Sequence, residues 1–424
     1  MLTDAARCYR RLGRSNFAPG PETASVATPQ ADLSFDQVDP VHRGFIDDYL
    51  RLHDIDPVRF CKPLPGQDEM FFKAILPNYE FDASISAFKF VESTIRLGDA
   101  YRQIAEGVFG GFDNLDTVLD FASGWGRLTR LLEQRLRPDQ IFVADIYHEA
   151  IDWQAATFGV NGVHSAKDAA AFDHAGKHDI VLVGSMFSHL PTELFHQWLA
   201  RLYDLVSARG VLAFSVHDEA ILPAGETMDA SGLRYLRFSE SGSLDLDIYG
   251  MSYVTEAFVA AAISRLGQGL SWRRFPKGLY ENQDLYVVGA PGVDLSGLTV
   301  ASTPMAGFET VTTLSTGELE FSGWAIERTP GAAIQTVSVH VDGAPALSLA
   351  PGTERPDVLR HFPGAANTPV GWSFRIDQEK APAGAMLRAQ FPSSSGLTGY
   401  CYAQVPQRAT FTYSGWSRRA LRGG

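Results

Sequence analysis

Three regimes of hydrophobic patterning succeed one another along the chain. From Val41 to Phe109 apolar residues recur at helical steps, Phe45, Ile46, Tyr49 and Leu50 first, then Ile85, Phe88, Val91 and Ile95. That spacing predicts a helical N-terminal cap over residues 35–115. From Asp116 the pattern changes to short apolar runs at 117–122, 140–146, 162–165, 179–184 and 210–216, separated by amphipathic helical stretches at 128–136, 149–158 and 194–206. Strands alternating with helices at this rhythm predict an α/β unit over 116–292 with a mostly parallel, doubly wound sheet. Two later runs, 271–275 and 284–289, flank a short turn and predict an antiparallel pair closing one sheet edge. The stretch from His217 to about Gly269 is too long for a plain connection, and its first part predicts a lid insertion over about 218–253. Beyond Pro291 the alternation takes period two with Gly, Pro and Thr punctuation, as in Thr336-Val-Ser-Val-His-Val and Trp372-Ser-Phe-Arg-Ile, and predicts an all-β sandwich over 305–412. Residues 1–34 read as a flexible leader and 413–424 as a basic tail.

Length and composition narrow the class. A chain of 424 residues with 45% hydrophobic and 20% charged residues supports two or three globular units with sizeable cores. The net charge of -13 repels phosphate backbones and excludes nucleic acid as the expected partner. Residues 301–424 carry 10 basic and 9 acidic residues, so the acidity resides in the first 300, consistent with separate units. Cys8, Cys61 and Cys401 form no CxxC pair and suggest neither a disulfide framework nor a zinc site. No apolar run approaches the roughly 18 residues of a membrane span, and the N-terminus lacks the apolar stretch of a signal peptide. A cytoplasmic protein without an integral membrane segment is the expectation.

The segment Val118-Leu-Asp-Phe-Ala-Ser-Gly-Trp-Gly-Arg places a small-residue turn between a buried strand and a helix, where backbone can approach a nucleoside. Gly124 and Gly126 satisfy GxG, but Thr129 stands at the third glycine position of the dinucleotide fingerprint, so a pyrophosphate is not indicated. Asp145, at the carboxyl end of the second strand, can accept hydrogen bonds from two ribose hydroxyls, and Asp120 can meet a cationic amino-acid moiety. A ligand with ribose, an ammonium group and no phosphate is S-adenosylmethionine. Residues 85–290 resemble the class I S-adenosylmethionine-dependent methyltransferases: Asp120-Phe-Ala-Ser-Gly-Trp-Gly-Arg looks like their first motif, with Ala122 in place of its first glycine. Asp145-Ile146, Ser185-Met-Phe-Ser-His-Leu and Gln283-Asp-Leu-Tyr-Val-Val add to the likeness. The resemblance implies a Rossmann-like fold and a cofactor site built from Asp120, Ala122, Ser123, Gly124, Gly126, Arg127, Asp145, Ile146, Ser185 and Met186.

Methyl transfer to an alcohol needs a base beside the acceptor. His189 follows the fourth strand, and His217 ends the fifth immediately before Asp218, making these three the candidate catalytic residues, with His217 ahead because it adjoins the lid. Tyr249 and Tyr253 are candidate acceptor contacts, against a plain helix-packing role. Asp245 and Asp247 alone are a poor metal signature, so no metal is expected. Trp324 and Trp372 either stack on sugar faces or fill the sandwich core, the commoner place for a strand tryptophan. The C-terminal pattern looks similar to β-rich modules attached to bacterial glycan-building enzymes. The combined expectation is O-methylation of a sugar hydroxyl in a bacterial surface polysaccharide or its precursor, in association with glycan-assembly enzymes. The alternatives are a natural-product methyltransferase and a non-catalytic cofactor- or glycan-binding scaffold.

Overall fold

The computed structural model describes residues 31–239, 244–280, 283–362, 364–366, 368–406 and 410–412. The predicted tail, and the leader apart from its last few residues, therefore lie outside the described residues. The chain divides into two units, one formed by residues 38–52 with those from 301 onward, the other by the residues before 38 and 53–300. This division cuts through the expected cap. Helix α1 (Pro40–Leu52) buries Phe45, Ile46, Tyr49 and Leu50 along one face, and its partners belong to the C-terminal unit. Helix α2 (Ala83–Phe109), capped by Asp82 accepting from the N–H groups of Ser84 and Ile85 and ended by Gly110 at φ 77°, belongs to the second unit. Helical periodicity reports that a face is buried but not against what.

In the second unit β1 (Val118–Phe121), α3 (Thr129–Arg135), β2 (Ile141–Asp145), α4 (His148–Phe158), β3 (Asn161–His164), β4 (His178–Val183), α5 (Thr192–Tyr203) and β5 (Val206–Asp218) alternate. The strands lie parallel in the order β3-β2-β1-β4-β5. Every residue of β1 and β4 is buried, because helices cover both faces. The chain runs outward from β1 through β2 to β3, then returns to place β4 on the other side of β1. The crevice at the strands' carboxyl ends, beside this switch point, is where ligands bind in such sheets.

Two short strands of the segment expected to be a lid are stitched into the sheet. Strand β6 (Leu233–Leu236) pairs antiparallel with β7 (Met251–Val254), and β7 pairs parallel with the end of β5 through His217↔Tyr253 and Asp218↔Val254. Backbone donors of Gly250 and Ser252 reach the carbonyls of His189 and Ser188, so β7 also ties down the loop after β4. The sheet tolerates this because β5 outruns β4 and leaves its last backbone groups to be paired. Helix α6 (Glu256–Ser264) follows, and β8 (Trp272–Leu279) and β9 (Gln283–Gly289) form the antiparallel pair, β9 lying against β5.

The other unit packs two four-stranded antiparallel sheets, built from β10 (Met305–Thr313), β11 (Leu319–Ile326), β12 (Val337–Val341), β13 (Ala344–Leu349), β14 (Gly371–Ile376), β15 (Met386–Pro392), β16 (Thr398–Gln404) and β17 (Thr410–Thr412). The short helix α7 (Pro356–His361) precedes β14. Phe308, Phe321, Phe374, Val339, Leu387 and Phe391 fill the space between the sheets. Trp372 and Trp324 are 1% and 3% exposed, so both are core residues and neither presents a face to a sugar. Helix α1 covers β16: Phe45 stacks on Tyr402, Tyr49 meets Tyr400 edge-on, and Asp48 accepts from the buried Arg388 guanidinium and the Tyr402 hydroxyl. Arg355 is held between Asp357 and Glu309, a structural network at the start of α7.

Candidate functional site

The loop between β1 and α3 turns through three left-handed positions, Ala122 at φ 59°, Gly124 at φ 54° and Gly126 at φ 76°. Alanine at the first costs about 1 kcal/mol relative to glycine, so the departure from the usual motif keeps the turn and adds strain. A Cβ at Gly126 would come within 3.0 Å of Gln154 and Phe158, whereas nothing lies within 4 Å of the corresponding point at Gly124. Gly126 therefore serves packing, and Gly124 leaves backbone open to a ligand. Buried Gln154 pins the loop, donating to the Ser123 hydroxyl at 2.9 Å and the Gly124 carbonyl at 2.8 Å while accepting from Thr129 at 2.7 Å. Asp145 ties the second strand to the same loop: one oxygen accepts from the Gly124 N–H at 2.8 Å, the other from the Tyr147 N–H at 2.9 Å. Each oxygen keeps a lone pair, so two hydroxyl donors can still be received.

Above the strand ends lies a cavity of about 430 Å³. Asp120, Ala122, Ser123, Gly124, Arg127, Asp145, Ile146, Ser185, Met186, His189 and Tyr249, all expected site residues, line it. Gly126 stays behind the loop. His217 does not reach the cavity, contrary to its ranking as the first base candidate; it is 3% exposed within the sheet, stacked on Tyr253, and Tyr253 is equally buried there. Asp218 is also displaced from the expected role, since it pairs with Arg274 at 2.7 Å and caps the turn that follows. Strand ends were readable from the pattern, but the pairing of β7 with β5 that buries His217 and Tyr253 was not. Among the described residues no three His, Cys, Asp or Glu side chains gather to hold a metal; Asp247 pairs with Arg237, and Asp245 caps its own turn.

The electrostatics separate the groups by task. Burial, reinforced by the Asp145 carboxylate, pushes Asp120 up to about 8, and its Oδ2 is buried without a hydrogen-bond partner. An acid in that state asks for a cation with N–H donors. Arg127, also on the cavity wall, donates to the hydroxyls of Ser93 and Thr94 and lies over the Tyr280 ring, and can meet a carboxylate. Burial lowers His189 to about 4 and His217 to about 3. The Nδ1 of His189 lies 2.6 Å from the Gly250 carbonyl, which only accepts, so Nδ1 carries the proton and Nε2 the lone pair. Tyr249 stacks on this imidazole at 4.5 Å.

Part of the site comes from residues the sequence pattern left unassigned. Residues 67–70, Lys73 and Ala74 form one wall. The fully buried Arg130 anchors the segment leading to them by donating to the carbonyls of Phe60, Lys62 and Pro63. Its signal was present: the arginine sits at the start of α3, within an otherwise buried face. Tyr101 from α2 and Tyr280 from the turn after β8 complete the wall, and no local motif marks either.

A doubly wound sheet with a glycine loop, a ribose-competent acid and an acid with an unpartnered oxygen at adjacent strand ends suits a nucleoside cofactor, and residues 118–210 match the family described as "Methyltransferase domain". That segment is similar to methyltransferase domains, and the cofactor its cradle fits is S-adenosylmethionine. The chain is 25% identical over 169 residues to a malonyl-[acyl-carrier protein] O-methyltransferase of Calditerrivibrio nitroreducens, an alignment covering 40% of this chain and 62% of that protein's length. Solved structures similar to it include an S-adenosylmethionine-dependent methyltransferase from Clostridium acetobutylicum (13% identity, 47% of this chain, 92% of that chain, TM-score 0.34). Another is the sugar N-methyltransferase KedS8 from Streptoalloteichus (15% identity, 47% and 87%, TM-score 0.35).

Proposed function

We propose that the protein transfers the methyl group of S-adenosylmethionine to a hydroxyl, with His189 as the general base and a sugar of a surface glycan or its precursor as the acceptor. Bound S-adenosylmethionine would supply an electrophilic methyl group. In this reading Asp145 receives the ribose hydroxyls, Asp120 the ammonium and Arg127 the carboxylate. His189, lining the cavity with its tautomer set by the Gly250 carbonyl, accepts the acceptor's proton at Nε2. That fixed tautomer is the observation that carries the choice of His189 as the base. Tyr249, stacked on the imidazole, holds the ring and offers a flat surface to the acceptor.

The glycan acceptor rests on the organisation into a catalytic unit and a separate β-sandwich; buried Trp324 and Trp372 lend it no support. A second reading, a compact natural-product acceptor, is favoured by the apolar lining beside His189, where Met186, Leu190, Leu244 and Ile248 offer contacts suited to a hydrocarbon body. Transfer of labelled methyl to a panel of sugar nucleotides, glycan fragments and small hydroxylated compounds decides between them. Turnover on sugars is expected; turnover confined to apolar small molecules overturns the glycan assignment. Failure of the intact protein to bind the cofactor by calorimetry overturns the whole reading.

A further inference from the structure

At one corner of the cavity hydroxyl and carboxyl oxygens gather. The Tyr101 hydroxyl oxygen is buried without a hydrogen-bond partner, on a side chain only 2% exposed. It lies 3.6 Å from the point where a side chain at Gly184 would begin, and the Tyr280 oxygen lies 3.8 Å from the same point. Burial, then the neighbouring Tyr280 and Asp120, disfavour ionisation of the Tyr101 phenol, and Asp120 carries an unpartnered oxygen of its own. Two phenol oxygens thus converge where β4 ends beside β1, whose Asp120 also lines the cavity. A buried polar atom without a partner is costly, and a fold that keeps one facing a cavity stabilises a ligand able to satisfy it.

We propose that the Tyr101 hydroxyl is a cofactor-recognising group that faces the sulfonium end of S-adenosylmethionine and favours the charged methyl donor over the neutral product thioether. The inference rests on the cofactor reading above. Its physical basis is position: Asp145 and Asp120 would hold the ribose and the ammonium, and the atom joining those two parts of the molecule is the sulfonium. In a dry cavity an uncharged phenol oxygen attracts a cation and contributes little toward a neutral sulfur. Gly184 matters because any side chain there would begin to fill the space that the two phenols share.

The test is binding, measured by calorimetry on the full chain with S-adenosylmethionine and S-adenosylhomocysteine, for wild type, Tyr101→Phe and Tyr280→Phe. Phenylalanine keeps each ring and removes only the oxygen, and melting curves report whether the fold survives. In Tyr101→Phe the affinity for S-adenosylmethionine is expected to fall roughly fivefold or more, while that for S-adenosylhomocysteine stays within about twofold. Tyr280→Phe, whose oxygen shares the same corner, should show the same sense of selectivity if Tyr101→Phe proves unstable. Equal losses for both ligands would assign the phenol to the shared ammonium end and overturn the proposal, as would no loss for either. If wild type binds neither ligand, the cofactor reading itself fails, an outcome distinct from an unchanged variant of a binding protein.

Discussion

Asp120 and His189 show how burial sets chemistry at single residues. With Asp120 pushed up to about 8, the free protein holds this carboxyl mostly protonated at pH 7. An arriving ammonium favours the carboxylate, lowering the pKa and expelling the proton. Calorimetry in buffers of different ionisation enthalpy should therefore find close to one proton released on cofactor binding at about pH 7. That number should dwindle above about pH 9, where the free carboxyl is already ionised; a constant number would argue against this assignment. His189, lowered to about 4, is neutral and able to accept a proton throughout the physiological range. Turnover should hence stay level on the base limb from about pH 8 down to about pH 5 and fall only as the imidazole protonates below that. His189→Ala is expected to lower turnover by roughly 100- to 10,000-fold with cofactor affinity nearly unchanged. His217→Ala, inside the sheet with its ring 6.1 Å behind that of His189, should cost stability and less rate.

At the scale of elements, the site depends on how helices fasten loops. Gln154 on α4 pins the glycine loop, and Arg130 on α3 fastens the carbonyls of residues 60–63, which lead into the cavity wall. Burial lowers the Arg130 guanidinium to about 10, opposed by the nearby Asp68 carboxyl, so it stays charged at neutral pH, its protons received by three carbonyls. Arg130→Met keeps the volume and strands those acceptors. The variant should lose about 3 kcal/mol of stability and bind the cofactor more weakly as the wall loosens, measured by denaturant unfolding and calorimetry. Unchanged values for both would show that the wall holds without this anchor. The glycine loop itself was readable because a strand, a small-residue turn and a helix are contiguous in sequence. The wall at residues 67–74 was not, since its position is set by an arginine some sixty residues away.

For the molecule as a whole, the C-terminal unit is discontinuous: α1 completes a sandwich whose strands begin more than 250 residues later. Asp48 binds Arg388 at 2.7 and 2.9 Å and Tyr402 at 2.9 Å, with Arg388 itself buried. Asp48→Ala leaves that cation without its carboxylate, so the sandwich unit should lose about 3 kcal/mol or more. The cofactor site, built wholly from the other unit, should keep its affinity. Thermal unfolding with and without S-adenosylmethionine separates the effects, because ligand raises the melting of the unit that binds it. A matching loss of cofactor affinity would contradict the independence of the two units. The same arrangement predicts that a chain ending near residue 300 exposes the apolar face of α1, Phe45, Ile46, Tyr49 and Leu50; removing residues 38–52 as well should improve its solubility.

What the sequence alone determined was local: which stretches are helix or strand, the glycine turn, the acids Asp120 and Asp145 at strand ends, and the two contrasting periodicities that mark an α/β unit and a sandwich. Each follows from interactions between residues near one another along the chain, where side-chain period and turn chemistry leave a direct imprint. Tertiary structure decided the rest. It put His189 on the cavity wall and left His217 within the sheet, where β7 pairs with the free end of β5. It took α1 from the expected cap and gave it to the sandwich, and it brought Tyr101 and Tyr280 to the same cavity wall. These outcomes depend on which buried faces meet, and a hydrophobic pattern records that a face is covered without recording its partner.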